Sequence, residues 1–279
     1  MKEKTSREYW SDKVDEWAYW ADPMANLAHG INKPLLDSLQ IKSGDKILDL
    51  ASGVGEPAFS AAKLAGQSGL TIATDLVPEM LAALKQREGS NILTFCACDM
   101  QDLPLADNSL DKISCRFGLM FVPSPQKAIN ETFRVLKPAT GIHSQLVWGE
   151  KENQRIFCVI EDCLKKLFSI YTDHDFERIF SLHEEAHVAS FFKNAGFDDI
   201  EETVLEFSPV APLETNFWQS QLDMSFGHLT KSLSKDEKHQ LNNKIRDALQ
   251  DYRIEPSEKH PNGGIQLTLS MRLITGRKP

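Results

Sequence analysis

Eleven residues, Ile47 to Pro57, constrain the fold of this chain more than any other stretch; they read ILDLASGVGEP. Ile47, Leu48 and Leu50 suit a buried strand. Gly53 and Gly55 permit a turn in which backbone N–H groups can approach a ligand without a Cβ in the way. Pro57 fits the first turn of a following helix. A strand, a glycine turn and a helix in that order form a ligand cradle, because open α/β sheets bind outside the carboxyl ends of their strands.

What surrounds the cradle fits the same architecture. Between Lys46 and Gly149 short apolar runs alternate with helical segments, the pattern of a mostly parallel sheet covered on both faces. Strands are predicted at Lys46 to Leu50, Leu70 to Thr74, Ile92 to Ala97, Asp111 to Cys115 and Ile142 to Trp148. A helix follows Ser124, its predicted cap, with Pro125 in the first turn and Ile129, Phe133 and Leu136 on one face. Later capping boxes are expected at Ser181/Glu184 and Ser234/Glu237, and Gly196 is expected to stop a helix. A strand is predicted near Ile200 to Phe207. From Ile265 through Leu267, Leu269 and Met271 to Leu273, apolar residues alternate with mostly polar ones as in one closing antiparallel strand.

These rhythms divide the chain as follows: an aromatic helical lid over 1–40, a core over 41–150, a cap helix over 151–182, and a core helix and strand over 183–208. A second helical cap spans 209–261 and the closing strand 262–279, the whole read as one domain with insertions.

Composition narrows the function classes. With 279 residues and a net charge of −9, basic residues scattered, the chain is a poor match to a polyanion, so no nucleic-acid partner is expected. No run approaches the roughly 18 apolar residues of a membrane span, and MKEKTSREYW lacks the features of a signal peptide; a soluble, cytoplasmic protein is expected. Five cysteines without paired spacing predict reduced thiols, and no metal site is expected.

Gly53, Gly55 and Ala58 satisfy G-x-G-x-x-G/A, and Asp75 follows at the end of the second strand, where a carboxylate accepts from ribose hydroxyls. Spacing alone leaves a nicotinamide oxidoreductase open. Glu56 and Pro57, however, put a negative side chain and a missing N–H where a pyrophosphate seeks donors. Asp49 before the turn favours a cationic group.

At this point the chain resembles the class I S-adenosylmethionine (SAM) dependent methyltransferases. ILDLASGVG is similar to their first motif, ATDLVPEML to the second, CACDMQDLPLADNSLD to the third, and FRVLKPATG to the segment after the fourth; CRFGLMFV is similar to small-molecule enzymes near the quinone-biosynthesis C-methyltransferases. The resemblance implies a Rossmann-like, doubly wound, mostly parallel seven-stranded sheet with an antiparallel last strand and helical cap insertions. It also implies SAM as cofactor and roles for particular residues. Ala51, Ser52 and Gly53 would hold the methionine moiety, Gly55 would keep the loop open, and Asp49 would brace it. Asp75 would take the ribose hydroxyls and Leu76 the adenine face. Asp99 and the N–H of Met100 would read the adenine edge, and the Arg116 carbonyl would meet the methionine amine. Ala139-Thr140 replaces the usual glycine pair after Lys-Pro.

The function expected is methyl transfer to an oxygen, carbon or nitrogen atom of a small, partly apolar metabolite. A nicotinamide oxidoreductase and a catalytically silent SAM-binding regulator are the alternatives. His29, His143 and His174 are the histidines considered for a base, none of them assigned. Trp17 and its neighbours are read as packing residues or as a lid over the cofactor, and Trp148 as lining a substrate pocket or packing in the core.

Overall fold

The computed structural model describes residues 5–212 and 214–279. Residues 1–4 of the expected lid and Leu213 of the second insertion lie outside them. The elements begin with α1 (Ser6–Ser11), α2 (Val14–Trp20) and α3 (Ala25–Ser38), then β1 (Lys46–Leu50), α4 (Ala58–Ala65), β2 (Leu70–Asp75) and α5 (Pro78–Lys85). Next come β3 (Leu93–Ala97), β4 (Lys112–Arg116), α6 (Pro125–Val135), β5 (Ile142–Trp148), α7 (Arg155–Phe168), α8 (His174–Glu177), α9 (His187–Ala195) and β6 (Asp198–Phe207). The chain ends with β7 (Val210–Ala211), α10 (Gln219–Thr230), α11 (Lys235–Leu249), β8 (Arg253–Ile254), β9 (Gly264–Gln266) and β10 (Leu269–Arg277).

Two compact units result. The first comprises residues up to Trp148, Ser181–Leu205 and Met271–Pro279; the second comprises Gly149–Phe180 and Glu206–Ser270. The seven-stranded sheet has the order β3-β2-β1-β4-β5-β10-β6. β1 pairs in parallel with β2 and β4, β2 with β3, and β4 with β5, while β10 runs antiparallel to β5. The strand order reverses between β1 and β4, which puts the crevice of such a sheet at the carboxyl end of β1. The expected Rossmann-like fold is therefore present.

Alternation along β1 explains the two layers. Ile47 faces Leu36, Leu39, Ala61 and Ala65 of α3 and α4, whereas Leu48 and Leu50 face the opposite side. There they join Ile113, Val147, Ile129 of α6 and Val188 and Phe192 of α9 in the main core. Sheet residues buried on both sides read as near-continuous apolar runs.

Several boundaries differ from the sequence reading. Residues Ser90–Ile92 form a 3-10 turn, so β3 starts one residue later than predicted. Ser124 precedes α6 but makes no side-chain cap; its N–H instead donates to Gln101 Oε1 at 3.0 Å. The Ser181/Glu184 capping box is absent: α9 begins at His187 after Ala186 in the left-handed region, and the Ala186 N–H donates to Glu202 Oε2. A carboxylate from β6 thus takes the capping role. Pro57 precedes α4 rather than opening it, after a cis Glu56–Pro57 peptide. The alternating run from Ile265 to Leu273 is two strands, because β9 pairs with β7 and β8 and only β10 joins the large sheet.

Other expectations hold in detail. Gly196 ends α9 at φ +98°, and Ser234 and Glu237 cap α11 reciprocally. Within the second unit, Phe157, Phe176, Phe180 and Phe226 form an aromatic core with ring centres 4.6 to 6.3 Å apart. Lys151 bridges Glu161 at 2.9 Å and Glu177 at 2.7 Å beside it. Among the described residues, no helix is long and apolar enough to cross a membrane.

Candidate functional site

The glycine loop folds on its own hydrogen bonds. Ala51, Gly53 and Gly55 have φ of +51°, +50° and +121°, so the chain reverses within a few residues. The Ser52 N–H donates to Thr74 O at 2.8 Å, the Gly55 N–H to Ser52 O at 2.9 Å, and the Gly53 N–H to Asp75 Oδ2 at 3.0 Å. Three donors that a pyrophosphate would seek are thereby engaged inside the protein. The two glycines differ in purpose. A Cβ at Gly53 would meet nothing within 4 Å, which leaves room for a ligand, whereas at Gly55 it would strike Leu84 and Phe59 at 2.5 Å. Gly55 is therefore closed in by the packing of Leu84 and Phe59.

Three acids mark the ends of β1, β2 and β3. Asp49 is fully buried and receives the Ser114 hydroxyl on Oδ1 at 2.6 Å. Its main-chain carbonyl accepts from Ser52 and Thr74 hydroxyls, so it braces the loop through its backbone. Burial pushes its carboxyl up to about 7, against the Ser114 hydrogen bond, which lowers it. Burial also raises the Asp75 carboxyl, while the N–H groups of Val77 and Gly53 counter it. Asp99, after β3, accepts the Gln101 N–H at 2.8 Å and its side-chain amide at 3.1 Å. Leu76, Asp99 and Met100 are all partly exposed around this edge.

The Arg116 side chain, for which no role was expected, is engaged as well. Its guanidinium is buried at the end of β4 and donates to the Glu56 carbonyl at 3.0 Å. Burial lowers its basicity, while Asp49 and Glu56 nearby support the charge. Glu56 in turn receives Asn32 of α3 at 3.0 Å and Ser60 at 2.8 Å. Within this network Arg116 Nε, Asn32 Oδ1 and Asp49 Oδ2 are buried with no hydrogen-bond partner among the described residues. Buried polar atoms are rarely left so. One donor and two acceptors match a zwitterionic amino-acid group carrying a carboxylate and an ammonium. Asn32 escaped the sequence reading, since one asparagine in an amphipathic helix carries no signal of its partner.

The N-terminal aromatics close over the same place. Trp10, Val14, Trp17 and Ala21 of the α1–α2 segment pack on Val54 of the loop and on Val77 and Met80 of α5. Trp17 Nε1 is another buried donor without a partner. Arg87 ties this layer down by donating to the Val54 carbonyl and to Asp22. The packing reading of Trp17 is what these contacts show.

Of the histidines, His143 is excluded as a base. The Thr132 hydroxyl donates to Ile129 O, so it can only accept from Nδ1–H of His143, 3.0 Å away. Nε2 is left buried and bare against the stacked Phe192 ring, and burial pushes the imidazole down to about 3. His29 and His174 are exposed. Trp148, at the end of β5, stacks on Phe117. No group of three or more histidine, cysteine, aspartate or glutamate side chains among the described residues could hold a metal ion. All five cysteines are free thiols.

Comparison with known proteins bears on this geometry. A family described as a methyltransferase domain matches residues 48–142. The ubiquinone/menaquinone biosynthesis C-methyltransferase UbiE of Bordetella avium is 39% identical over 100 residues, 35% of this chain and 39% of that protein. The demethylmenaquinone methyltransferase of Paenarthrobacter aurescens is 30% identical over 175 residues, 60% of this chain and 67% of that protein. The chain thus spans about two-fifths of the first curated relatives it matches, and two-thirds of another. The YcgJ protein of Bacillus subtilis has the same fold, with a TM-score of 0.55 at 16% identity, covering 90% of this chain and 99% of that one. These matches support SAM, rather than a nicotinamide, as the cofactor. The chain belongs to the class I SAM-dependent methyltransferases and is related to the quinone-biosynthesis methyltransferase family.

Proposed function

We propose that this chain transfers a methyl group from SAM to a small, partly apolar metabolite. The observation that carries the reading is the buried, unpartnered set of Arg116 Nε, Asn32 Oδ1 and Asp49 Oδ2 beside a loop whose N–H donors are already engaged. Such a site suits a zwitterion next to a sulfonium and serves a pyrophosphate poorly. The names of the relatives, which concern ubiquinone and menaquinone, support a quinone-like acceptor.

The residue roles follow from the chemistry. Arg116 would hold the methionine carboxylate, with Asp49 and Asn32 accepting from the ammonium. Asp75 would take the ribose hydroxyls on the lone pairs that Gly53 and Val77 leave over, and Leu76 would cover the adenine. Asp99 and the N–H of Met100 would read its edge. Ala51, Ser52 and Gly53 would line the methionine chain, and Trp17 would shut out water from above. When bound, the sulfonium supplies an intrinsically electrophilic methyl group. The protein's task is then to align the acceptor and exclude water, and alignment alone can supply up to about 7–11 kcal/mol.

The free thiols support a cytoplasmic setting. The test is incubation of the protein with SAM carrying a radiolabelled methyl and a metabolite extract, with the labelled product identified by mass spectrometry. Label is expected in one small apolar product. Binding of SAM without conversion to S-adenosylhomocysteine by any extract would contradict the proposal and point to a regulatory SAM-binding protein.

A further inference from the structure

Gln101 lies just beyond the acid that follows β3, and its side-chain amide is engaged at both ends. Oε1 accepts the Ser124 N–H at 3.0 Å, at the start of α6. Nε2 donates to both oxygens of the Asp99 carboxylate, 3.1 Å from each. The Gln101 main-chain N–H also donates to Asp99 Oδ1, at 2.8 Å. Only one orientation of the amide serves both partners, because a turned amide would set its NH2 against a donor and its oxygen against a carboxylate. The Ser124 N–H therefore fixes which way the Gln101 side chain faces, and Gln101 in turn fixes the plane of the Asp99 carboxylate.

Tying the loop to α6 would explain the bond to Ser124 alone. That tie is already made two residues on, where the Leu103 N–H donates to Glu131 Oε2 at 2.8 Å and Arg134 donates to the Leu103 carbonyl at 2.9 Å, both partners on α6. It does not account for the other end of the amide, which is given to the carboxylate. Among the described residues, Asp99 Oδ1 accepts two N–H groups and Oδ2 one, so Oδ2 keeps room for a further donor at the partly exposed rim. A carboxylate held in one plane offers that oxygen to an N–H group without the ordering cost that a freely turning side chain meets on binding. A ligand oxygen at the same place would face like charge and be rejected.

We propose that Gln101 is a positioning residue that aims the Asp99 carboxylate at the exocyclic amine of the cofactor's adenine, and so gives the site its preference for adenine over a 6-oxopurine. The proposal rests on the reading of Asp99 given above and deepens it, by naming the residue through which that acid is set. Gln101 acts through Asp99 and holds no part of the cofactor itself.

S-Adenosylhomocysteine and S-inosylhomocysteine share their ribose and amino-acid parts and differ at the purine edge, an amine in one and a carbonyl oxygen in the other. Calorimetric titration of the full chain with each gives an affinity ratio that isolates recognition of that edge. The wild type is expected to favour the adenosyl compound by about a hundred-fold. Gln101→Met, which keeps the length and removes both polar ends, should lower the ratio to about ten-fold, the part left to the Met100 N–H. Gln101→Glu separates the two ends of the amide, since the introduced carboxylate still accepts from the Ser124 N–H but repels Asp99 instead of donating to it. It should lower the ratio at least as far as Gln101→Met, whereas a role confined to holding the loop would be rescued by it. Asp99→Ala is the reference. Loss of the preference in Asp99→Ala with Gln101→Glu still at the wild-type ratio overturns the positioning role alone. An Asp99→Ala ratio equal to that of the wild type, or no preference in the wild type, overturns the reading of Asp99 beneath it.

Discussion

Asp49 is buried with a carboxyl pushed up to about 7, so its charge near neutrality depends on what stands next to it. A cationic ligand group favours the ionised form. SAM affinity should therefore rise as pH increases through about 7 and level off above it. Asp49→Asn should flatten that profile, as calorimetry across pH 5.5 to 8.5, estimated as roughly the span of the transition, would record. Gly55 and Gly53 make a second comparison. Gly55→Ala meets both a φ of +121° and contacts at 2.5 Å, and should cost about 2–4 kcal/mol in urea denaturation. Gly53→Ala has the strained φ without the clash, and should cost roughly 1–2 kcal/mol. Equal costs would contradict the division of labour assigned to the two glycines.

At the scale of elements, the sequence was most legible where one local rule decides. The run Ile47-Leu48-Asp49-Leu50 could only be a buried strand, and Ser234 with Glu237 could cap a helix without outside help. Replacing Ser234 with Ala should destabilise α11 by about 1 kcal/mol in thermal or urea unfolding, with SAM binding unaffected. The reading failed where a distant residue overrode the local rule. Ser181 and Glu184 fit a capping box, yet Glu202 of β6 meets the backbone at Ala186 instead. The alternation from Ile265 to Leu273 is regular in sequence, and only pairing with β7 and β8 divides it. The candidate site divides in the same way. Asp49, Asp75 and Gly53 lie in a local pattern that the sequence displays. Asn32 and the Arg116 side chain act through contacts that spacing does not encode.

For the whole molecule, two buried titratable groups shape the pH dependence in opposite senses. The Asp49 carboxyl is raised to about 7. Its contribution is fully present below the unfolded value near 4 and is lost as pH rises through about 7. The His143 imidazole is lowered to about 3. Its contribution is present above the unfolded value near 6.5 and is lost as pH falls towards 3. Between about pH 4 and 6.5 these two slopes oppose each other, with the Asp75 carboxyl, also raised by burial, acting in the same sense as Asp49. Asp49→Asn removes one of the falling slopes, so its urea midpoint should climb with pH over that range relative to that of the wild type. An unchanged pH dependence in that variant would contradict the buried, neutral state of Asp49.

The proposed function depends on the cradle at β1 holding SAM. Calorimetric titration of the wild type and of Asp75→Ala with SAM and with NADH tests that most directly. The account predicts that the wild type binds SAM and ignores NADH, and that the variant, lacking both the carboxylate and its brace on the Gly53 N–H, loses SAM binding while remaining folded by circular dichroism. Binding of NADH in preference to SAM, or undiminished SAM binding by Asp75→Ala, would contradict it.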